Sequence, residues 1–194
     1  GIIGVGSCAK SLVEGVQYYN ENPEDKVGLM YPDIGGYGTK DIEFVMGFDI
    51  DVRKVNKPLA EALRAAPNCS MNHVNTIHTN GDSNSSCVKS KAMVYSAPEL
   101  DGIAPHMHDY PDEVTFVNGA IPAESFDRTV ELIKYHDVDV LINYLPVGSE
   151  DATKYWIDVA IKAGVNFVNC IPTLISTDDA METEQRFIDA GLTI

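Results

Sequence analysis

Positive charge is scarce in this sequence of 194 residues. It carries 14 Lys and Arg against 29 Asp and Glu, which gives a formal net charge of −15 at pH 7. A surface of that sign repels polyanions, so nucleic acid and anionic membrane are not expected as partners. The acidity is typical of a well solvated surface, with adaptation to a salt-rich cytoplasm as the alternative.

Long hydrophobic runs are also absent. The longest stretches, such as VDVLINYLPVG at 138–148, fall well short of the roughly 20 apolar residues that span a bilayer. No basic leader precedes an apolar stretch, and the four cysteines have no paired spacing, which favours reduced thiols. We therefore expect a soluble, cytoplasmic protein.

Several common catalytic patterns are missing as well. The sequence has no GxSxG elbow and no P-loop, and its carboxylates fall on predicted solvated helix faces. Cys69, His73, His78 and Cys87 match no compact zinc spacing, so no metal site is expected.

The sequence instead alternates buried strands with amphipathic helices. After a first strand at the N-terminus, apolar runs predict strands near 42–48, 92–95, 138–146 and 165–172, and LTI at 192–194 resembles the start of a sixth strand. Helices are predicted over 9–19, 123–136, 149–164 with Ser149 as the cap, and 176–191. The segment 67–91 is irregular, and a stretch of that length is either functional or mobile. The pattern predicts an α/β fold with a doubly wound, mostly parallel sheet, in one domain over 1–194.

The first turn from strand to helix reads GVGSCA, residues 4–9. In open α/β sheets the ligand lies beyond the carboxyl ends of the strands, and this first turn supplies the phosphate site. Gly4 allows a tight turn, Gly6 lets the backbone of the turn, including Ser7 and Cys8, approach a pyrophosphate, and Ala9 permits close helix packing. The turn predicts a bound dinucleotide, and a merely tight turn is the alternative.

Asp49 stands at the end of the second predicted strand, where a carboxylate accepts hydrogen bonds from the adenosine ribose. It lies farther from the glycines than the usual roughly 20 residues because 21–41 is inserted. A carboxylate there repels a 2′-phosphate, so NAD is favoured over NADP. Asp51 is expected to be a surface partner of Arg53 or Lys54.

Polar residues and prolines interrupt two later strands at their carboxyl ends, in NYLPVGSE and NCIPTLIS. We expect them to line the crevice near the nicotinamide half of the cofactor, with ordinary turn chemistry as the alternative. Ser96, after the third strand, belongs to the same predicted cofactor-binding set. The other residues of this part of the set are Asn143, Tyr144, Leu145, Pro146, Ser149, Asn169, Pro172 and Thr173.

A family resemblance rests on longer stretches of the chain. IIGVGSCAKSLVEGVQYY, FVMGFDIDVRKV, PELDGI, DVDVLINYLPVGSEDATKYW and AGVNFVNCIPTLISTD follow one another in the order found in the prokaryotic branch of the myo-inositol-1-phosphate synthase family. YLPVGSE and VNCIPTLIS are much more specific than the glycine turn. The sequence resembles this family over essentially its whole length.

The resemblance implies a Rossmann-like NAD-binding domain of an isomerase that converts D-glucose 6-phosphate to 1L-myo-inositol 1-phosphate. In that family NAD oxidises C5, an aldol closure joins C6 to C1, and the reduced cofactor is then reoxidised. Members are usually homotetramers assembled through a second α+β domain. The resemblance places that domain and the catalytic lysines beyond Ile194, so no catalytic residue is assigned within 1–194.

Two other functions remain open at the level of sequence. The fold hosts many reactions, so another NAD-dependent dehydrogenase is one alternative. A non-catalytic dinucleotide-binding module is the other.

Overall fold

The computed structural model describes residues 1–82, 86–119, 121–173, 175 and 178–194, and confirms the α/β prediction. In the described part of the chain, five parallel strands form one sheet in the order β3-β2-β1-β4-β5. The strand order reverses beside β1, which places a crevice at the carboxyl ends of β1 and its neighbours. The elements are β1 Ile2–Ile3, α1 Ser7–Glu21, β2 Phe44–Asp49, α2 Leu59–Ala62, β3 Val88–Ser96, α3 Phe126–Tyr135, β4 Val140–Asn143, α4 Glu150–Ala163, β5 Asn166–Asn169 and α5 Asp178–Asp189, with short 3-10 turns at Thr39–Asp41 and Pro105–Asp109.

Two hydrophobic layers cover the two faces of the sheet. Successive residues of a strand point to opposite faces, and Ile2 accordingly packs with α1 and α2 while Ile3 packs with α3 and α4. Both side chains are fully buried. A central strand buried on both sides explains the unbroken apolar runs in the sequence.

The predicted third strand is longer than expected. The apolar run 92–95 predicts only its second half, whereas β3 begins at Val88 and includes Lys89 and Lys91. β3 is an edge strand, and edge strands tolerate charged side chains that face water.

Two smaller predictions need correction, and one lies partly outside the described residues. Ile42 precedes β2 and is largely exposed. The segment 192–194 forms no sixth strand: the Phe167 N–H donates to the Thr193 carbonyl at 3.0 Å, but one backbone hydrogen bond does not make a ladder. The predicted start of the last helix at 176–177 lies outside the described residues.

The irregular segment after residue 67 is attached to α1 by buried polar side chains. Lys10, Glu14 and Gln17 lie on one face of the helix and are buried. Lys10 Nζ donates to the Ser70 carbonyl at 2.6 Å, Glu14 accepts the His73 N–H at 2.8 Å, and Gln17 binds the backbone at 76 and 78. A buried polar group left unpaired costs about 1–3 kcal/mol, so these bonds hold the segment without regular secondary structure.

His136 at the end of α3 makes the fold sensitive to pH. Its Nε2 lies 2.7 Å from the Tyr95 hydroxyl, and burial lowers the pKa of the imidazole. The unfolded chain, with a pKa of about 6.5 for histidine, therefore binds the proton more readily than the folded chain. Stability is fully present above that value and falls as the pH drops below it.

We predict that the free energy of unfolding decreases between pH 7 and pH 5 in the natural protein. His136→Gln keeps a hydrogen-bond acceptor for Tyr95 but cannot titrate, so its decrease should be smaller. Urea unfolding at several pH values measures both slopes. Equal slopes in the two proteins would contradict this assignment.

Candidate dinucleotide site

A cavity of about 380 Å³ opens at the carboxyl ends of β1, β2 and β4. Four segments form its wall: the turn between β1 and α1, the end of β2, the loop that follows β3, and the turn between β4 and α4. Most of the wall is apolar, with a few polar groups near the glycine turn. The lining residues include Gly4, Gly6, Phe48, Asp49, Ile50, Lys54, Pro98, Leu100, Asp101, Gly102, Ile103, His106, Met107, Phe116, Tyr144, Leu145, Pro146, Val147, Ser149 and Trp156.

Gly4 is required by the fold itself. Its φ of +82° is rarely adopted by L side chains, and an added Cβ would lie 2.8 Å from the Tyr144 carbonyl oxygen. Its N–H donates to the Phe48 carbonyl at 2.9 Å. Gly4 therefore lets the chain turn between β2 and β4, and its role needs no ligand.

Gly6 has a different environment. Its φ is −91°, which any residue can adopt, and an added Cβ would meet no atom within 4 Å. No side chain caps α1, whose first turn begins here, although the first N–H groups of a helix require partners. The open space in front of Gly6 and the uncapped helix end fit an anionic group better than they fit an internal structural need.

Asp49 is fixed at the same end of the sheet. Its Oδ2 accepts the Val5 N–H at 2.8 Å and its Oδ1 accepts the Asp51 N–H at 2.9 Å, while Lys54 Nζ lies 3.7 Å from Oδ2. A carboxylate oxygen can accept a second hydrogen bond. Asp49 therefore offers two oriented acceptors to the cavity, as binding of vicinal hydroxyl groups requires.

Asp51 was expected at the surface, and the structure corrects this. It is fully buried, and its carboxylate pairs with Arg53, which also donates to the Thr115 carbonyl. Burial opposes ionisation, but the hydrogen bonds from Arg53 and the backbone hold the pKa of Asp51 below its ordinary value. The expected pairing with Arg53 is correct; Lys54 instead approaches Asp49.

Ser149 occupies the N-cap position of α4, but its side chain does not cap the helix. Its buried hydroxyl has no hydrogen-bond partner among the described residues. The cap comes from Asp101, whose carboxylate accepts the Asp151 N–H at 2.7 Å and the Ala152 N–H at 2.9 Å. The expected local cap is wrong because the loop after β3 packs here: an added Cβ on Gly102 would collide with the Ser149 hydroxyl.

The predicted residues Asn143 and Asn169 hold strand ends together. Asn143 Nδ2 donates to Asn169 Oδ1 at 2.9 Å, and Asn143 Oδ1 accepts the Leu145 N–H at 3.1 Å. Asn169 Nδ2 donates to the carbonyls of Ile171 and Thr173 at 3.0 and 3.2 Å. These amides shape the turns after β4 and β5 and lie outside the cavity wall described above.

The other predicted residues divide between the wall and its surroundings. Tyr144 is in the wall, and burial, together with the neighbouring Cys170, raises the pKa of its hydroxyl to about 12. A phenol with that pKa stays protonated near neutral pH and does not serve as a general base. The remaining wall positions from the prediction are Gly4, Gly6, Asp49, Leu145, Pro146 and Ser149. Six other predicted residues do not line the cavity: Ser7, Cys8, Ala9, Ser96, Pro172 and Thr173.

Sequence reasoning missed Lys54 and Asn68 beside the glycine turn and Asp101 at the helix end. Each acts on backbone groups that are remote in sequence: Lys54 and Asn68 on the carbonyl of Val5, and Asp101 on α4. No spacing in one sequence signals such a contact. The DG pair at 101–102 indicates a turn, but not what the turn touches.

Relatives with established names match the whole chain. Inositol-3-phosphate synthases of Mycolicibacterium smegmatis and Corynebacterium glutamicum are each 40% identical over 195 residues, covering 100% of this chain and 48% of their own length. The resemblance to the inositol phosphate synthase family is confirmed. An inositol-3-phosphate synthase of Mycobacterium tuberculosis is 39% identical over the same extent. This chain spans about half the length of the curated synthases it matches.

Solved structures give a consistent fold. The crystal structure of Ari2 superposes with a TM-score of 0.73 at 26% identity, covering 99% of this chain and 50% of that one. A myo-inositol-1-phosphate synthase-related protein from Thermotoga maritima gives a TM-score of 0.70 at 19% identity, over 98% of this chain and 52% of its own, and supports the fold alone. No family model matches the sequence. In the described ranges no helix is both long and apolar enough to cross a membrane.

We predict that Asp101, and not Ser149, stabilises the start of α4. Asp101→Ala should lower the free energy of unfolding by about 1 kcal/mol, because two N–H groups lose their acceptor. Ser149→Ala removes a hydroxyl that has no partner and should cost nothing or stabilise the fold. Thermal and urea unfolding of both variants measure the difference, and a larger loss in Ser149→Ala would contradict the assignment.

Proposed function

We propose that this chain is the NAD-binding part of an inositol-3-phosphate synthase, which converts D-glucose 6-phosphate to 1L-myo-inositol 1-phosphate. The observation that carries the proposal is the open space before Gly6, at the uncapped start of α1 and beside the fixed carboxylate of Asp49. The relatives named inositol-3-phosphate synthase support a related synthase function, and the family resemblance implies the reaction. A homotetrameric, cytoplasmic enzyme is part of the same proposal.

The residues present fit a dinucleotide. The pyrophosphate would lie at the first turn of α1, where backbone N–H groups and the helix dipole favour negative charge. The adenosine ribose would bind Asp49 through its two hydroxyls. The apolar wall, which includes Leu100, Ile103 and Met107, suits an adenine ring.

NAD supplies hydride acceptance and return when it is bound. The residues of this chain bind it, orient it and keep water from its rings. Lys54 in the cavity wall is engaged by the Val5 carbonyl and Asn68, so it is not placed to bind a sugar phosphate. The closure of the ring needs cations that stabilise an oxyanion, and we assign these to the lysines that the family places after Ile194.

We predict that Gly6→Val abolishes NAD binding while the fold remains intact. The side chain would enter the open space that the pyrophosphate needs, and it meets no protein atom there. Calorimetry should show affinity reduced by at least about tenfold, or ~1.4 kcal/mol. Unfolding should stay cooperative, with a slightly lower unfolding temperature because valine is a poorer N-cap residue than glycine.

Gly4→Ala is the matched control. It should destabilise the protein, because its Cβ would press on the Tyr144 backbone. Undiminished NAD affinity in Gly6→Val would contradict the assignment of the phosphate site.

The reaction is assayed as inositol phosphate formed from D-glucose 6-phosphate in the native-length protein that carries residues 1–194. That protein should turn over with NAD, and its Gly6→Val variant should not. An inactive native-length protein that still binds NAD would contradict the synthase assignment.

We also predict a preference for NAD over NADP. The Asp49 carboxylate would meet the 2′-phosphate directly, so NADP should bind at least about tenfold more weakly. Asp49→Asn keeps the size of the side chain and an acceptor for the Val5 N–H but removes the charge. It should therefore reduce the difference in affinity between NAD and NADP. Calorimetry with both cofactors at one ionic strength measures this, and equal affinities in the natural protein would refute the role of Asp49.

A further inference from the structure

Both backbone polar groups of Val5 are held by side chains at the end of β2 and after it. Val5 lies between the two glycines of the turn and is fully buried. Its N–H donates to Asp49 Oδ2 at 2.8 Å. Its carbonyl accepts from Lys54 Nζ at 2.9 Å and from Asn68 Nδ2 at 3.0 Å. The peptide that joins Val5 to Gly6 is therefore fixed by two donors on its carbonyl side.

This arrangement determines where the next N–H points. In a planar trans peptide the carbonyl of one residue and the N–H of the next point in opposite directions. With the Val5 carbonyl turned toward Lys54 and Asn68, the Gly6 N–H points away from them. No hydrogen bond among the described residues uses that N–H, and Gly6 lines the cavity.

The ammonium group of Lys54 contacts only protein groups around the Val5 carbonyl among the described residues. Lys54 is 3% exposed, and its ammonium group faces the Val5 carbonyl, Asn68 Oδ1 at 3.0 Å and the Asp49 carboxylate at 3.7 Å. The ammonium group thus makes two hydrogen bonds and one ion pair within the protein. Lys54 therefore acts on a ligand through the turn rather than by direct contact.

The side-chain amide of Asn68 is also hydrogen-bonded within the protein. Its Nδ2 donates to the Val5 carbonyl and, at 2.9 Å, to the Leu63 carbonyl, while its Oδ1 accepts from Lys54. Asn68 thus links the end of the α2 region to the glycine turn. The two side chains brace each other as well as the carbonyl.

A gain in fold stability does not by itself explain why Lys54 and Asn68 are buried at the glycine turn. Burying an ammonium group costs several kcal/mol, and buried ion pairs often contribute no net stability compared with apolar side chains of similar size. The two side chains do, however, fix a peptide that leads directly into Gly6, which lines the cavity. An N–H oriented in advance binds an anion without a further ordering cost.

We propose that Lys54 and Asn68 are positioning residues for the pyrophosphate of the cofactor, because they aim the Gly6 N–H at it by holding the Val5 carbonyl. The inference rests on the proposed NAD-binding function and goes beyond it by separating two kinds of ligand. Ligands with a pyrophosphate depend on the pair. Ligands with only a nucleoside do not, since they use Asp49 and the apolar wall.

The test compares ADP with adenosine in Lys54→Met. Methionine keeps the length of the side chain but donates no hydrogen bond. ADP affinity should fall about tenfold, as expected for loss of an oriented hydrogen bond near a charge, while adenosine affinity stays within about twofold by ligand-observed NMR titration. Lys57→Met is the matched control, since Lys57 lies three residues away, is about half exposed and pairs only with Glu61 in the part of the chain that the structure describes. It should change neither affinity.

Asn68→Ala provides a second, milder variant. It leaves Lys54 on the Val5 carbonyl and removes one of the two donors, so ADP affinity should fall by a smaller factor with adenosine again unchanged. If Lys54→Met does not fold, as judged by thermal unfolding, Asn68→Ala decides the matter.

The possible outcomes distinguish the positioning role of Lys54 and Asn68 from the proposed NAD-binding function on which it rests. A natural protein that binds neither NAD nor ADP overturns both. A natural protein that binds them, with Lys54→Met and Asn68→Ala either unaffected or weakened equally for ADP and adenosine, overturns only the positioning role.

Discussion

The hydrogen bond between the Val5 N–H and the Asp49 carboxylate is the contact on which the site depends. It joins the turn after β1 to the end of β2, and it orients the turn and the carboxylate at once. The backbone of Gly4 lies against Tyr144 on the other side, after β4. The glycine turn is thus enclosed by both neighbours of the central strand, so its geometry follows from the strand order of the sheet.

The same strand order explains why the cavity is walled by segments far apart in sequence. The carboxyl ends of parallel strands meet at one edge, and the loop after β3 reaches across to α4 through Asp101. Arg53 and Asp51 attach the segment around 115–117 to the end of β2 in a similar way. In both cases a carboxylate holds a segment of the cavity wall by accepting hydrogen bonds from backbone N–H groups. Such bonds need no regular secondary structure in the segment they hold.

The sequence predicted what depends on local periodicity. The helices α1 and α4 begin and end within about two residues of their predicted bounds. The strands β4 and β5 lie inside their apolar runs, and β2 extends one residue beyond its run, to Asp49. The glycine turn was recognised because its spacing is local. The two glycines, however, have different surroundings: a positive φ and a close carbonyl explain Gly4, while an added Cβ at Gly6 would meet only open space.

What the sequence could not predict are contacts between side chains and remote backbone. Ser149 has the ordinary residue type and position for a cap, yet the packing of Gly102 against it leaves that role to Asp101. Asp51 has a charged partner two residues away, which is also the pattern of a surface pair, but here the carboxylate is buried and Arg53 is only partly exposed. In each case the local pattern has two structural solutions, and tertiary packing selects one.

The proposed binding of an anionic cofactor has to be reconciled with a strongly acidic chain. A net charge of −15 acts over the whole surface, but ions screen it beyond about 8 Å at physiological salt. Within that distance of Gly6 the local groups decide, namely the positive end of α1 and the ammonium of Lys54. Because Lys54 lies 3.7 Å from Asp49, it offsets the carboxylate nearest the turn while leaving that carboxylate able to accept hydroxyl groups. In the proposed function, the two charges together would let one end of the sheet bind a ribose and a pyrophosphate side by side.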